Sequence, residues 1–277
     1  MPFLHLVVLA AVQGLTEFLP ISSTGHLRLV SLFTGWPDQG LMMDVAVHVG
    51  TLFAVILYFW RDLWGMTTSL RNSTRRMSTK RRVDEDFWLS IKLVVATLPV
   101  IGAGLMVDLY VTSGLRVLPV IAWATLGFGV LLYFADQVNM TVRRIEHISL
   151  WDALLIGFFQ ALALIPGTSR AGITMTAARF LGVERRDAAR FSMLLSIPVI
   201  VGAGTLKGIE LYRTEDAQLT SDVFMAAGLA FFFALLAIAL LMQWLKRASF
   251  TPFVVYRILL GAALVYIVYW MPEIVPA

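Results

Sequence analysis

The sequence predicts an all-α polytopic integral membrane protein: six transmembrane helices plus two re-entrant helical hairpins in an inverted-topology repeat, forming a single domain over 1–277. Three observations carry this expectation. First, 58% of the 277 residues are hydrophobic and 14% charged, whereas soluble domains carry about 25% charged residues. With a mean hydropathy of +0.79, a water-soluble fold would leave too much apolar surface in water, so lipid must be the solvent. Second, apolar runs of span length recur along the chain. Third, two further apolar runs stop at Pro-Ser/Thr-Gly segments instead of crossing.

The elements follow in order. The run 2–19 enters PISSTGH at 20–26 and resumes as a short apolar helix. Broken backbone at membrane depth is tolerated only where protein covers it or it lines a wet cavity, which makes this segment half-helix, turn, half-helix. Spans follow at 41–60, 87–107 and 117–135. The run 151–165 enters PGTSRAG at 166–172 in the same way, followed by spans at 190–206, 223–245 and 252–271. No Lys or Arg precedes the first apolar run, which argues against a cleaved secretory signal.

Basic loops set the orientation. RNSTRRMSTKRR (71–82) marks the cytoplasmic side, joined by Arg143 and Arg144, Arg185 and Arg186, and Lys246 and Arg247. The segment 207–222, with Glu210, Glu215, Asp216 and Asp222, reads as external. Counting crossings places both termini outside and makes 1–140 and 141–277 inverted repeats, each a hairpin plus three spans. Gln13, Pro20, Ser22, Ser23 and Gly25 echo Gln160, Pro166, Thr168, Ser169 and Gly172. The net charge of +4 is loop bias and gives no reason to expect nucleic acid. With no cysteine, disulfides and thiolate metal sites are excluded.

The chemistry-bearing residues cluster in the two broken segments. Gln13 and Glu17 share one face of the first half-helix at i, i+4 spacing. Pro20 ends that helix. Ser22, Ser23 or Thr24 can cap the next one, so that its N–H groups and dipole, with Gly25 in its first turn, attract phosphate. His26 stands three residues beyond Ser23, within reach of its hydroxyl in a helix. Glu17 is an intramembrane carboxylate, which is costly without a function. In the second segment Gly167 permits a tight turn, Thr168 and Ser169 cap the following helix, and Arg170 offers a bidentate fork to phosphate oxygens. Thr174 lies one turn further on. Asp44 and His48 stand in or beside a span as supporting candidates. Lys92 and Arg257 are expected to snorkel near span ends, and Arg179, Arg185, Arg186 and Arg190 to form a solvated cytoplasmic face.

Read together, Gln13…Glu17, Pro20-Ile-Ser-Ser-Thr-Gly-His26 and Pro166-Gly-Thr-Ser-Arg-Ala-Gly-Ile-Thr174 closely resemble the undecaprenyl-diphosphate phosphatases, the bacitracin-resistance family of bacterial membranes. The likeness spans the whole chain. Gln13 stands where Glu is commoner, and Ala171 where the family usually has Ser. The resemblance implies hydrolysis of undecaprenyl diphosphate to the monophosphate and phosphate with a divalent cation, Mg2+ or Ca2+. This recycles the lipid carrier for cell-wall synthesis, at a site opening to the external face of the cytoplasmic (inner) membrane. It implies catalytic roles for Glu17, Ser23, His26 and Arg170. By matching positions Ser169 and Thr174 inherit roles as well; the turns as read above offer phosphate contacts at Ser22, Thr24, Gly25, Gly167, Thr168, Ser169, Arg170 and Thr174, and metal binding falls to Glu17 with Gln13. Serine, histidine and water remain open as nucleophile. Partners are the polyprenyl diphosphate substrate and membrane lipid, and a homodimer is compatible. A polyprenyl-phosphate flippase or transporter is the rival, since inverted repeats with broken helices describe transporters equally well. A carrier, however, has no use for a nucleophile beside a proton shuttle.

Overall fold

The computed structural model describes residues 2–36, 40–73, 81–110, 117–138, 143–213 and 221–271, and these are helical with no strand among them. Part of the basic segment at 71–82 and of the acidic segment at 207–222 lies outside the described residues.

The first hairpin consists of α1 (Phe3–Glu17) and α2 (Ser23–Thr34). Thr16 returns its hydroxyl to the Val12 carbonyl, and the chain leaves the helix just before Pro20, which has no N–H to continue it. Gly35, left-handed at φ 66°, closes α2 with a bond to the Ser31 carbonyl. Next come α3 (Gly40–Tyr58) and α4 (Trp60–Ser73), bent by 75° at Phe59. The long helices α5 (Arg81–Tyr110) and α6 (Leu118–Val138) complete the first half. A second hairpin opens the rest of the chain. Ser149 and Asp152 form a capping box for α7 (Leu150–Ala161), which tightens into a 3-10 turn at Leu162–Leu164 before α8 (Arg170–Phe180). Then follow α9 (Arg185–Arg213), α10 (Ser221–Trp244) and α11 (Thr251–Trp270).

Five described helices are long and apolar enough to cross a membrane, up to six if the bent α3–α4 pair is one span. With 15 and 12 residues, α1 and α7 are too short to do so, since a span needs about 20 residues. The chain is a multi-pass membrane protein. Large apolar residues such as Phe53, Phe158, Phe232 and Leu259 face outward, where lipid solvates them.

The first half-helix of each hairpin lies on a long helix from the other part of the chain: α1 along α10 and α7 along α5. The approach is close because glycine sits at each crossing. A Cβ on Gly14 would meet the Ala230 carbonyl at 2.7 Å, and one on Gly157 the Ala96 carbonyl at 2.4 Å. In the turns themselves Pro20, Ser22 and residues 166–169 are buried.

Several charges sit differently from their sequence expectation. Lys92 is buried and donates to the Glu146 carbonyl at 3.0 Å. Arg179 is 0% exposed and pairs with Asp136, to which Arg185 also donates. Arg190 pairs with Asp62 of α4. Of the four arginines assigned to a solvated face, Arg186 alone is exposed. The physical reason is the same throughout: at these helix junctions a buried acceptor is available, which sequence spacing does not reveal.

Candidate active site

The two turns share one backbone geometry. Ser22 caps α2 with its Oγ accepting from Gly25 N (3.4 Å), and Ser169 caps α8 with its Oγ accepting from Gly172 N (3.1 Å). Both serines lie at positive φ, 74° and 69°, a conformation L-residues adopt at a cost of about 1–3 kcal/mol and one that clusters at functional sites. The matched pairs are therefore Ser22 with Ser169 and Ser23 with Arg170, one residue off the echo read from the letters. Caps at Gly25 and Gly172 leave the earlier first-turn N–H groups, those of Ser23 and Thr24 and of Arg170 and Ala171, at the mouths of two helices.

The side chains at these mouths converge on Glu17. Its Oε2 accepts from Ser23 Oγ at 2.8 Å and Gln13 Nε2 at 3.1 Å; its Oε1 accepts from Arg170 Nη2 at 3.1 Å. The Glu17–Arg170 pair is nearly dry, with side chains 9% and 12% exposed. Such a pair is costly to assemble unless its remaining hydrogen bonds are satisfied, and here Ser23, Gln13 and the Ser192 carbonyl satisfy them. The turns also touch directly, Ser169 Oγ donating to the Leu19 carbonyl at 3.5 Å.

A cavity of about 350 Å3 opens over this junction. Glu17, Ser22, Ser23 and Thr24 line it from the first hairpin, and Gly167, Ser169 and Arg170 from the second. Asp44 and His48 of α3, and Lys207 of α9, line the same space. The arrangement offers an anion two helix mouths and a guanidinium, beside a hydroxyl already bonded to a carboxylate.

Five residues singled out from the sequence do not line it. His26 is turned away from Ser23: its Nδ1 bonds the Ser22 carbonyl at 2.7 Å and its Nε2 the Tyr256 hydroxyl. One turn of helix carries the ring past the hydroxyl toward α11. Thr174 is fully buried, its hydroxyl shared among the Arg170 and Ala171 carbonyls and Ser192 Oγ. The N–H of Gly25 serves its cap, and Thr168 is buried behind the turn while Ser169 does the capping. Gln13 supports Glu17 from behind.

The sequence named Gln160 only as the counterpart of Gln13, expected Arg257 to snorkel, gave Tyr256 no role and left Lys207 in an external segment. Arg257 is 0% exposed and does not snorkel. A lone arginine inside an apolar 20-residue helix was the available signal. Lys207 was one of only two basic residues in the acidic segment 207–222.

The family model for the bacitracin resistance protein BacA matches residues 6–263. The chain belongs to that family. The undecaprenyl-diphosphatase of Roseobacter denitrificans is 49% identical to it over 271 residues, covering 97% of this chain and 100% of that one. Undecaprenyl-diphosphatase 1 of Rhodospirillum rubrum is 49% identical over 286 residues, covering 100% and 99% of the two chains. The undecaprenyl-diphosphatase of Hahella chejuensis is 49% identical over 269 residues, 97% and 99%. Similarity to this family thus extends across both hairpins and every span.

Proposed function

We infer that this protein is an undecaprenyl-diphosphate phosphatase of the bacterial cytoplasmic membrane. It hydrolyses undecaprenyl diphosphate to undecaprenyl phosphate and inorganic phosphate, returning the lipid carrier to cell-wall synthesis, with bacitracin resistance as the associated phenotype. The carrying observation is the joint at Glu17, where Ser23 of one hairpin and Arg170 of the other meet one carboxylate at the cavity wall.

In the proposed reaction the terminal phosphate lies between the mouths of α2 and α8, with Arg170 drawing on its equatorial oxygens. Ser23 Oγ attacks the terminal phosphorus as its proton passes to Glu17. The bond from phosphorus to the bridging oxygen breaks, and undecaprenyl phosphate leaves with that proton. Glu17 then takes a proton from water, whose oxygen attacks the phosphoserine; Ser23 regains a proton and phosphate departs. His26, held between Ser22 and Tyr256, serves this scheme by fixing the backbone of Ser22. Thr174 steadies the first turn of α8, and Thr168, Gly25 and Gly167 shape the turns.

A divalent cation, Mg2+ or Ca2+, fits the residues in a limited way. No cluster of three or more His, Cys, Asp or Glu occurs among the described residues. The Gln13 Oε1 is buried without a hydrogen-bond partner beside Glu17, which suits a hard cation that seeks oxygen. Glu17 would hold it at the cavity wall together with the diphosphate, Gln13 offering its carbonyl oxygen from behind, and it would neutralise phosphate charge.

We further read the chain as inverted repeats, 1–140 and 141–277, with both termini and the cavity mouth on the external side. The paired caps at Ser22 and Ser169 and the reciprocal packing of α1 on α10 and α7 on α5 support this reading. A flippase would bind phosphate at the same junction but would leave it attached. The test is phosphate release by the purified protein from C55 and C15 diphosphates, with and without chelator. Chelator-sensitive release supports the assignment; binding without release would favour the flippase.

A further inference from the structure

Among the described residues, Arg257 of α11 is one of two arginines whose side chains are buried completely, and the two are satisfied differently. Arg179 has the Asp136 carboxylate. Arg257 donates only to backbone carbonyls: Nε to Thr125 at 3.2 Å, Nη2 to Ala124 at 3.4 Å and Gly167 at 3.0 Å, and Nη1 to Pro20 at 3.4 Å. No carboxylate pairs with it among the described residues. A buried cation held by dipoles alone is expensive, and a protein that needed only packing here would place a leucine.

The identity of the carbonyls indicates its task. Pro20 belongs to the first turn, Gly167 to the second, and Ala124 and Thr125 to α6 between them. One planar guanidinium therefore pins both turns to a common support. The first turn of α8 rests on it as well, since a Cβ on Gly172 would lie 2.9 Å from Arg257 Nη1. The preceding residue, Tyr256, bonds His26, whose Nδ1 engages the Ser22 carbonyl. Arg257 does not line the cavity, so it acts through the turns.

We propose that Arg257 is a positioning residue for the hydrolysis: its fork holds the two turns at the separation that lets Ser23 and Glu17 face the same phosphate as Ser169 and Arg170. Four carbonyls in different directions need the rigid fork of arginine, and lysine supplies charge without it. The proposal rests on the phosphatase reading above.

The experiment measures kcat and KM for phosphate release from undecaprenyl diphosphate in detergent, per mole of folded protein, for wild type, Arg257→Lys and Arg257→Gln. Melting temperature and monodispersity define the folded fraction. A misplacement of about 1 Å at a reacting site costs about 100-fold. The expected result is that order of loss in kcat for both variants, with KM changed by less than about threefold, because binding groups persist while their alignment is lost. A folded Arg257→Lys protein with kcat near wild type would overturn the fork and leave charge alone as the role. Loss confined to KM, or loss that tracks only the folded fraction, overturns positioning. If neither variant can be isolated folded, Arg257 is a folding residue and the proposal falls. Wild type without phosphate release would instead refute the phosphatase reading itself.

Discussion

Arg170 and Glu17 stand 153 positions apart in the chain, yet the Arg170 Nη2 lies 3.1 Å from Glu17 Oε1. Together with the Ser169–Leu19 contact, this bond joins the two hairpins and places the guanidinium at the cavity wall. Arg170 also reaches the Ser192 carbonyl, so its plane is fixed by two acceptors. Arg170→Lys keeps a charge but loses the fork. Phosphate release should fall by about 100- to 1,000-fold in kcat, as when one preorganised donor to a developing charge is removed, while the protein inserts and melts normally. Steady-state kinetics with a parallel melting curve checks this; near-wild-type turnover would remove the clamp from the mechanism.

In the proposed reaction Glu17 takes the proton and, with Gln13, holds the cation. Glu17→Gln should abolish divalent-dependent activity, by several kcal/mol in the barrier if the ion is the main charge stabiliser. Gln13→Glu should retain activity and reach half-maximal rate at lower metal concentration, because it adds a charged oxygen where a neutral one now lies. A metal titration of phosphate release for the three proteins decides it. An unchanged rate and metal dependence in Glu17→Gln would reassign the cation.

His26 separates a proton shuttle from a structural ring. In its observed position the ring links the Ser22 carbonyl and the Tyr256 hydroxyl, a job an amide can share. His26→Gln should therefore keep activity within about tenfold of wild type, whereas His26→Ala, which releases the exposed Tyr256 hydroxyl and leaves the Ser22 carbonyl only its backbone bond, should lose more and melt lower by about 1 kcal/mol of stability. Equal and near-complete inactivation by both would restore the imidazole to the chemistry.

Much of the fold was legible because lipid imposes simple arithmetic: span lengths and Pro-Ser/Thr-Gly breaks are readable one residue at a time. Glu17, Ser23, Ser169 and Arg170 were legible for the same reason, since polar residues in apolar surroundings need a purpose. Long-range geometry was not. Nothing in the spacing of His26 revealed that Tyr256 would take its ring, and nothing near Arg257 or Arg179 announced carbonyls or a carboxylate from distant helices. The serine pairing differed by one residue because the positive-φ caps, not the letters, define equivalence.

Asp136 gathers Arg179 at 3.1 Å, Arg185 at 2.7 Å and the Phe250 N–H at 3.2 Å, tying α6, α8, α9 and the start of α11 together. Asp136→Asn leaves a buried arginine without its counter-charge and should cost about 3–5 kcal/mol of stability, read as a lowered melting temperature in detergent. A melting temperature equal to wild type would show that the carbonyls around Arg179 suffice.

Orientation has its own test. Reporter fusions at residues 75 and 215, in the basic and acidic segments, should report opposite sides of the membrane. The same side for both would break the inverted repeat.

The most direct measurement is the initial rate of phosphate release from undecaprenyl diphosphate by purified, folded Ser23→Ala beside wild type. If the Ser23 hydroxyl, bonded to Glu17 at 2.8 Å, is the nucleophile, kcat falls by about 1,000-fold or more while KM stays close to wild type. A Ser23→Ala protein turning over within about tenfold of wild type would mean that another group attacks the phosphorus, and the chemistry assigned to the joined hairpins would be wrong.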